Sequence, residues 1–252
     1  MDKTSFAASS PRQETIPIGA FLYRTFWQIM DWIYPPLCAG CGQQGVRFCS
    51  GCESSILYLQ SHLCECCGQP IHGQNSTLCP SCSEDRPVFN QLRSLAVYKD
   101  AIREALLAMK FHQDFGISEY FGFKLVTLLQ NLNWQFDAII PIPLNSNRHH
   151  SRGFNQAYRL AIPIALSFKK PICKNGLIRT TNTLAQADLP REQRWQNVQK
   201  AFFANQELVE GKRILLVDDI ATTNATMKAC STELLKKHAA AVLGITVARA
   251  VL

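Results

Sequence analysis

Cysteine pairs are the residues of this chain whose type and spacing point most directly to chemistry. The chain has 252 residues and 11 cysteines, and nine of these fall between Cys38 and Cys82. Two thiolates separated by two residues can bind one metal ion, and two such pairs complete a tetrahedral zinc site. The pattern predicts two structural zinc ions, with pairing of the Cys-x-x-Cys motifs in chain order as the simplest arrangement. The predicted ligands are Cys38, Cys41, Cys49, Cys52, Cys64, Cys67, Cys79 and Cys82.

Zinc is favoured over the alternative, an iron–sulfur cluster, by the glycine that follows the first and third pairs. Gly42 and Gly68 allow the tight turn that brings both thiolates of a pair to one metal ion. Cys66 lies inside a pair and is predicted to bind no metal, and His72 is interpreted as a surface histidine rather than a ligand. A zinc ion closed by four thiolates has no open coordination position, so the cysteines predict a structural role and not catalysis.

A second chemically informative stretch covers residues 214–226, Ile-Leu-Leu-Val-Asp-Asp-Ile-Ala-Thr-Thr-Asn-Ala-Thr. An apolar strand is predicted to end at Asp218 and Asp219 and to lead through a hydroxyl-rich turn into a helix. Backbone N–H groups and threonine hydroxyls at a helix N-terminus bind phosphate. Two carboxylates would repel that phosphate but would accept hydrogen bonds from a neighbouring diol. We therefore expect a sugar phosphate with vicinal hydroxyls; the alternative is an ordinary turn with a capping threonine.

The segment 138–206 concentrates positive charge. Ten basic side chains stand against Asp188 and Glu192, so its net charge of +8 exceeds the +7 of the whole chain. Three interpretations remain open: arginine forks that hold a pyrophosphate, a surface that follows single-stranded nucleic acid with Phe154 or Trp195 as stacking partners, and a solvated basic face. The candidate anion-binding residues are Arg148, Arg152, Gly153, Arg179, Arg191 and Arg194.

The elements that must position these residues follow from the apolar pattern. Strands alternate with helices after residue 88, which predicts an α/β fold with a parallel or mostly parallel sheet. The predicted strands cover 91–98, 138–143, 213–217 and 241–248, and the predicted helices cover 102–111, 117–132, 155–168 and 225–238. The predicted domains are a disordered N-terminus at 1–17, an amphipathic helix at 18–36, the cysteine-rich module at 37–87 and the α/β domain at 88–252.

The composition excludes several classes of protein, and the N-terminal segment bears on the cellular location. The 47% hydrophobic and 18% charged residues exclude a disordered chain, a collagen and a coiled coil. The helix at 18–36 is short for a bilayer span, so it is predicted to dock on its own protein rather than lie on a membrane surface. Residues 1–15 are polar and carry no secretory signal, which predicts a cytoplasmic protein, with the inner face of the membrane as an alternative.

Residues 217–226 resemble the binding signature for phosphoribosyl pyrophosphate in type I phosphoribosyltransferases. The resemblance implies that Asp218 and Asp219 engage the ribose hydroxyls, that residues 222–226 surround the 5′-phosphate, and that Mg²⁺ accompanies the ligand. Ala221 stands where that family has a larger aliphatic residue, and Asn224 stands where it has glycine. The residues implied in binding are Asp218, Asp219, Ala221, Thr222, Thr223, Asn224, Ala225 and Thr226.

Further motifs resemble the ComF family, which is associated with bacterial competence. They are Arg152-Gly-Phe-Asn-Gln156, Arg179 with Thr183 and Gln186 downstream, and Arg191-x-x-Arg194-x-x-Asn197. The resemblance implies a double zinc ribbon joined to a type I phosphoribosyltransferase-like domain, with a mostly parallel sheet and flanking helices. It also implies binding of phosphoribosyl pyrophosphate or a related ribose phosphate, of single-stranded DNA and of other DNA-uptake proteins during natural transformation.

An active phosphoribosyltransferase of nucleotide or amine metabolism is the alternative. Such an enzyme, of the glycosyltransferase class, would move ribose 5-phosphate to a base or amine and release pyrophosphate, whose developing charge Arg152 would stabilise. His112, His149 and His150 are candidate general bases, but no motif supports them, so no catalytic residue is assigned.

Overall fold

A computed structural model describes residues 18–33, 35–71, 76–111, 115–144, 154–180 and 201–251 of the chain. Four parallel strands form the main sheet, in the order β1-β6-β5-β2: β1 (Gln91–Val97), β2 (Ala138–Pro141), β5 (Arg213–Ala221) and β6 (Ala241–Arg249). A separate antiparallel pair, which the sequence pattern did not indicate, consists of β3 (Leu177–Arg179) and β4 (Phe202–Ala204). The mostly parallel sheet expected from the sequence is confirmed.

Helices precede the sheet and connect its strands. They are α1 (Ile18–Ile33), α2 (Ser50–Ser54), α3 (Pro80–Glu84), α4 (Asp100–Phe111), α5 (Phe115–Leu132), α6 (Gln156–Phe168), α7 (Gln206–Val209) and α8 (Ala225–Lys236). The four helices predicted for the α/β domain form as α4, α5, α6 and α8. α6 continues through Pro163, whose ring lies so close to α5 that a Cβ on Gly122 would come within 2.6 Å of it. Close packing on α5 thus offsets the backbone hydrogen bond that proline cannot donate.

The core has one layer on each face of the sheet. β5 shows the division, because its apolar residues at 214–217 are fully buried and alternate between the two layers. Leu215 and Val217 pack in the layer that contains α4, α5, α6 and the first two cysteine pairs. Ile214 and Leu216 pack in the layer that contains α8 and the last two cysteine pairs. The cysteine-rich module therefore contributes to both layers of the larger domain.

The cysteine-rich module also covers the outer edge of β1. The N–H of Leu59 donates to the carbonyl of Leu95 at 3.0 Å, and the N–H of Leu92 donates to the carbonyl of Cys66 at 2.8 Å. An open strand edge presents unpaired backbone groups that favour aggregation. Backbone pairing with the module satisfies part of this edge and fixes the module against the sheet.

β5 extends further than the sequence predicted. The predicted strand ended at residue 217, whereas β5 runs to Ala221. Asp218 pairs with Thr246 and Ala221 pairs with Arg249, because β6 also continues to Arg249 and supplies partners for the additional residues. The two acidic residues consequently lie inside the strand, which continues for two residues beyond them, rather than at its end.

α1 is docked along one face only. Ala20 is buried, the guanidinium of Arg47 lies 4.8 Å from the ring centre of Trp27, and Arg47 also pairs with Asp31. The contacts of this face agree with the predicted docking of the helix on its own protein. Large apolar side chains on the remaining surface of α1 are exposed: Ile18, Phe21, Leu22, Phe26, Ile29, Trp32 and Ile33. Among the described residues, no helix combines the length and hydropathy needed to cross a membrane.

Candidate functional site

The eight predicted ligand cysteines assemble into two clusters. The first cluster consists of Cys38, Cys41, Cys49 and Cys52, and the second cluster consists of Cys64, Cys67, Cys79 and Cys82. Within each cluster the four sulfur atoms lie within 4.8 Å of one another, and close pairs such as Cys67 and Cys79 are 3.6 Å apart. Zn–S bonds of about 2.3 Å in a tetrahedron separate the sulfurs by about 3.8 Å. Both clusters therefore fit a four-thiolate zinc site, with the cysteine pairs combined in chain order.

A glycine follows the first and the third cysteine pair, and each glycine adopts the backbone conformation that the turn requires. Gly42 and Gly68 have φ values of 78° and 72°, in the left-handed region that glycine occupies most easily. The N–H of Gly42 donates to the carbonyl of Cys38 at 2.8 Å, and that of Gly68 donates to the carbonyl of Cys64 at 2.9 Å. Each turn is closed by this hydrogen bond, which places both thiols of the pair on the same side.

Backbone N–H groups favour one thiolate in each cluster. Burial raises the pKa of Cys38, but hydrogen bonds from backbone N–H groups, including that of Cys49 at 3.3 Å, outweigh it and lower the pKa to about 6. The same balance lowers the pKa of Cys64 to about 7. Because zinc binds thiolates, each cluster contains one cysteine that ionises more readily than a free thiol. Cys66 is buried outside both clusters, and His72 lies outside the described residues.

The two acidic residues of the predicted sugar site lie near the C-terminal end of β5. The N–H of Asp219 donates to Oδ1 of Asp218 at 2.9 Å, and Nζ of Lys110 lies 2.7 Å from Oδ2 of Asp219. Burial raises the pKa of Asp218 to about 8; the charge of Asp219 adds to this rise, and that of Lys110 opposes it. The pair therefore carries less negative charge at neutral pH than two free carboxylates, which reduces its repulsion of a nearby phosphate.

Residues 222–226, here called the phosphate loop, connect β5 to α8. Thr222 and Thr223 are exposed, and Ala225 and Thr226 form the first turn of α8. Asn224 lies between them in the left-handed region, with φ 62° and ψ 5°. Its side chain makes no capping hydrogen bond to α8. The loop thus presents two hydroxyls beside a helix N-terminus, an arrangement suited to an anion.

Arg249 connects the phosphate loop to the cysteine-rich module. It is the last residue of β6, pairs with Ala221 directly before the loop, and is only 1% exposed. Its Nη2 donates to Oδ1 of Asn224 at 3.0 Å and also to the carbonyl of Cys67. Its Nη1 donates to Oε1 of Gln69 at 3.3 Å. One guanidinium therefore bonds both to the loop and to a cysteine pair of the second cluster.

A cleft of about 600 Å³ lies between the phosphate loop and the second cluster. Thr222, Thr223 and Asn224 line one wall, and the module contributes Gln69 and other residues near the second cluster to the opposite wall. Lys228 of α8 reaches across, with Nζ 2.5 Å from Oδ2 of Asp85. The cleft is the concave surface on which the predicted phosphate-binding residues meet the cysteine-rich module.

The predicted basic residues are only partly described. Arg179 lies in β3, where its guanidinium is 5.4 Å from the ring centre of Phe202. The other predicted anion-binding residues and the candidate bases lie outside the described residues: Arg148, Arg152, Gly153, Arg191, Arg194, His112, His149 and His150. The structure therefore describes the acidic residues and the phosphate loop, and it leaves the predicted pyrophosphate contacts as expectations.

Three basic residues lie near the site but were not predicted from the sequence to be part of it. Lys110 contacts Asp219, Lys228 lines the cleft, and Arg249 bonds to the phosphate loop. A signal for Arg249 was present, because it directly follows the apolar run at 241–248. In a parallel sheet the C-terminal ends of all strands lie at the same end of the sheet. A charged residue at the C-terminal end of β6 must therefore lie near the C-terminal end of its neighbour β5.

Sequence comparison identifies relatives along most of the chain. Residues 29–84 match the double zinc ribbon domain family. The chain is 30% identical over 205 residues to competence protein ComFC of Bacillus subtilis, covering 77% of this chain and 80% of that protein. It is 26% identical to competence protein F of Haemophilus influenzae, with 80% and 84% covered. It is 29% identical to the DNA utilization protein YhgH of Escherichia coli, with 82% and 94% covered.

Two solved structures share a more distant similarity. One is glutamine phosphoribosylpyrophosphate amidotransferase from B. subtilis complexed with ADP and GMP, at 22% identity and a TM-score of 0.38 over 51% of this chain. The other is described as the allosteric regulatory enzyme of purine biosynthesis, at 22% identity and a TM-score of 0.37 over 52% of this chain. In each case the chain spans 26% of the length of the enzyme.

Proposed function

The chain belongs to the ComF family of competence proteins, and from that premise we propose that it binds phosphoribosyl pyrophosphate and single-stranded DNA during DNA uptake. The sugar phosphate would bind at Asp218, Asp219 and the phosphate loop. The observation that carries this proposal is the meeting of acidic residues, exposed threonines and a helix N-terminus at one edge of the sheet.

Each part of this edge matches a different part of the ligand. The exposed hydroxyls of Thr222 and Thr223 and the N-terminus of α8 would bind the 5′-phosphate. Asp218 and Asp219, in the strand immediately before the loop, would accept hydrogen bonds from the two ribose hydroxyls. The raised pKa of Asp218 and the cation of Lys110 lower the electrostatic cost of placing acidic groups near a phosphate.

The pyrophosphate would extend toward the basic segment. Arg148 and Arg152 follow β2, and the residues of this segment carry ten positive charges against two negative ones. Mg²⁺ would accompany the pyrophosphate and neutralise part of its charge. Planar guanidinium groups hold phosphate oxygens in pairs, which suits these arginines to either pyrophosphate or a DNA backbone.

Single-stranded DNA is proposed from the charge of this segment together with the family. Relatives of the chain are named competence proteins and DNA utilization proteins. A groove of positive charge binds single strands with little sequence preference. Of the two predicted stacking partners, Phe154 is buried and so is not placed to stack on a base, and Trp195 lies outside the described residues. Arg148, Arg152, Arg191 and Arg194 are the residues we assign to this contact, and they would serve the sugar phosphate and the DNA in turn.

Isothermal calorimetry with phosphoribosyl pyrophosphate and Mg²⁺ tests the ligand. We expect the parent protein to bind, and Asp218→Ala and Asp219→Ala each to weaken the affinity about tenfold, because each removes an acceptor for a ribose hydroxyl. Asp137→Ala is the matched control, since Asp137 pairs with Arg213 at the start of β5 and so lies at the opposite edge of the sheet. Absence of binding by the parent protein would refute the assignment.

A second measurement separates binding from catalysis. Release of pyrophosphate is followed after adding phosphoribosyl pyrophosphate, Mg²⁺ and a panel of nucleobases and amines. Ligand binding without release of pyrophosphate would support a binding role. Sustained release with one acceptor, abolished by Asp218→Ala, would establish an active phosphoribosyltransferase instead.

A further inference from the structure

We propose that Arg249 is a positioning residue, which holds the phosphate loop through Asn224 and is itself held by the second cysteine cluster. This proposal rests on the proposed phosphoribosyl pyrophosphate site, because it concerns the loop that would bind the 5′-phosphate. It makes the metal of the second cluster a condition for ligand binding, and it gives the cysteine-rich module a specific influence on the α/β domain.

The backbone of Arg249 is fixed from both sides. Arg249 pairs with Ala221 of β5 on one side and with Val97 of β1 on the other. The N–H of Tyr98 donates to its carbonyl at 2.7 Å. With its backbone fixed in the sheet and its side chain buried, the guanidinium has little freedom to move away from the phosphate loop.

The guanidinium in turn fixes the one residue of the loop whose conformation is unusual. Asn224 occupies the left-handed region, which residues other than glycine rarely adopt and asparagine tolerates best. Its Oδ1 accepts from Nη2 of Arg249 at 3.0 Å, so the amide is bonded to the sheet instead of capping α8. Because Asn224 directly precedes α8, its conformation determines where the N-terminal N–H groups of that helix point.

The remaining hydrogen bonds of Arg249 end in the cysteine-rich module. Nη2 donates to the carbonyl of Cys67 and Nη1 donates to the side chain of Gln69, both at the turn of the second cluster. Cys67 is one of the four cysteines of that cluster, so a bound metal would fix the position of its carbonyl. Loss of the metal would release this turn and, with it, the acceptors that orient the guanidinium.

Charge strengthens the same connection. Zinc bound by four thiolates carries a net charge of about −2, and a buried guanidinium needs nearby negative charge. Arg249 lies beside the second cluster, and Arg93 also donates to its turn, at the carbonyls of Cys64 and Glu65. The two arginines thus balance the charge of the metal site, but only Arg249 reaches the phosphate loop.

A double-mutant cycle tests whether Arg249 acts through Asn224. Phosphoribosyl pyrophosphate affinity is measured with Mg²⁺ for the parent protein, Arg249→Gln, Asn224→Gly and the double variant. We expect Arg249→Gln to weaken binding about tenfold in the parent and less than about twofold in the Asn224→Gly background, where the amide acceptor is absent. Equal losses in both backgrounds would overturn the proposal, because they would reflect general destabilisation.

Arg93→Gln is the matched control for the cycle. It removes an arginine from the same metal site without removing a contact to the phosphate loop, so we expect an unchanged affinity. A loss equal to that of Arg249→Gln would overturn the proposal. If Arg249→Gln does not fold, Gln69→Ala replaces it, since it removes one acceptor and leaves the guanidinium; about threefold weaker binding is then expected. An unchanged affinity of Gln69→Ala would in that case contradict the proposal.

Hydrogen exchange at residues 222–226 tests the metal connection without any ligand. We expect Cys82→Ser, which disrupts the second cluster, to accelerate exchange in the phosphate loop, and Cys41→Ser, which disrupts the first cluster, to leave it unchanged. Equal effects of the two variants, or none, would overturn the proposal. Arg249→Gln should accelerate exchange in the phosphate loop in the same way, and Arg93→Gln should not. If the parent protein binds no phosphoribosyl pyrophosphate, the proposed function fails, whereas exchange in the Arg249→Gln and Cys82→Ser variants still decides the role of Arg249.

Discussion

The ammonium of Lys110 lies 2.7 Å from a carboxylate oxygen of Asp219, and the two side chains are 19% and 14% exposed. Lys110 is near the end of α4 and Asp219 is in β5, so the ion pair ties a helix of one core layer to the edge where the ligand is proposed to bind. A ribose hydroxyl that donates to Asp219 would share that carboxylate with Lys110.

Replacement of Lys110 by Met should destabilise the protein. Removing one partner of a mostly buried ion pair leaves the other group without its hydrogen-bond partner, so we expect a loss of about 2 kcal/mol in the free energy of unfolding at pH 7.5. Urea denaturation measures this loss. Lys228→Met is a comparison, because its partner Asp85 is 77% exposed and remains hydrated; its loss should be below about 1 kcal/mol. Equal losses would contradict a special role for the Lys110 pair.

Asp218→Asn should make stability less dependent on pH. The pKa of Asp218 is raised from 3.8 to about 8, so between these pH values the native state keeps a proton that the unfolded chain releases. Stability contributed by this group is therefore complete below about pH 4 and is lost as the pH rises through 8. Thermal melts at pH 5, 6.5 and 8.5 should show a smaller decrease in Tm for the variant than for the parent.

Asp137→Asn is the comparison, because the pKa of Asp137 is shifted in the opposite direction from that of Asp218. Hydrogen bonds from Arg213 hold the pKa of Asp137 well below its usual range, so its contribution is present above that range and is lost as the pH falls below about 4. Between pH 5 and 8.5 this variant should follow the slope of the parent. An Asp218→Asn variant that also keeps the parental slope would show that Asp218 is ionised in the native protein.

Metal analysis should find two zinc ions in each chain. Elemental analysis of the purified protein measures the content directly, and the protein should be colourless. Cys41→Ser and Cys82→Ser should each reduce the zinc content by about one ion, because each removes a ligand from a different cluster. Cys173→Ser is the control and should retain both ions, since Cys173 belongs to neither cluster. Iron in place of zinc after anaerobic purification would contradict the prediction.

Gly68→Ala should be more damaging than Gly42→Ala, although both glycines follow a cysteine pair at positive φ. A Cβ on Gly68 would come within 2.6 Å of the carbonyl oxygen of Leu92, whereas one on Gly42 would meet nothing within 4 Å. We expect Gly42→Ala to cost about 1 kcal/mol from backbone strain and Gly68→Ala at least about 3 kcal/mol, because overpacking adds to it. Denaturant unfolding of zinc-loaded protein compares the two, and equal costs would exclude the predicted clash.

Single-stranded DNA and phosphoribosyl pyrophosphate should compete for the protein. Fluorescence anisotropy of a labelled oligonucleotide, titrated with the sugar phosphate at two salt concentrations, measures the competition. Neutralising Arg148, Arg152, Arg191 or Arg194 should reduce the salt dependence of DNA affinity by about 0.7 in slope for each phosphate contact removed. Zinc content, measured on the same samples, should not change. Full DNA binding at saturating sugar phosphate would mean that the two ligands use separate sites.

Local sequence patterns were sufficient for the features that depend on neighbouring residues. The spacing of the cysteine pairs predicts the eight cluster residues, with pairing in chain order as the simplest arrangement, and the apolar runs predict the four strands of the parallel sheet. The sequence pattern did not predict the antiparallel pair β3 and β4, because a strand of three residues is too short to show a recognisable alternation of apolar and polar residues. The continuation of β5 past Asp218 and Asp219 to Ala221 was not predicted, because it depends on pairing with β6, which the sequence of β5 alone does not show.

Contacts between distant segments could not be derived in the same way. Arg249 is separated by 182 residues from Cys67 and by 25 residues from Asn224. Its role depends on the strand order, which places β6 between β1 and β5, and on the attachment of the cysteine-rich module at the edge of β1. Neither the strand order nor the attachment of the module is visible as a periodic pattern in the sequence.

The position of β6 between β1 and β5 has a consequence for biosynthesis. The cysteine-rich module is made of contiguous chain and can capture its metals soon after it leaves the ribosome. β1 and β5 pair with each other only through β6, so translation must reach Arg249 before the sheet can close. Until then the apolar edge of β5 is without its neighbour, and such an unpaired strand edge is prone to aggregation.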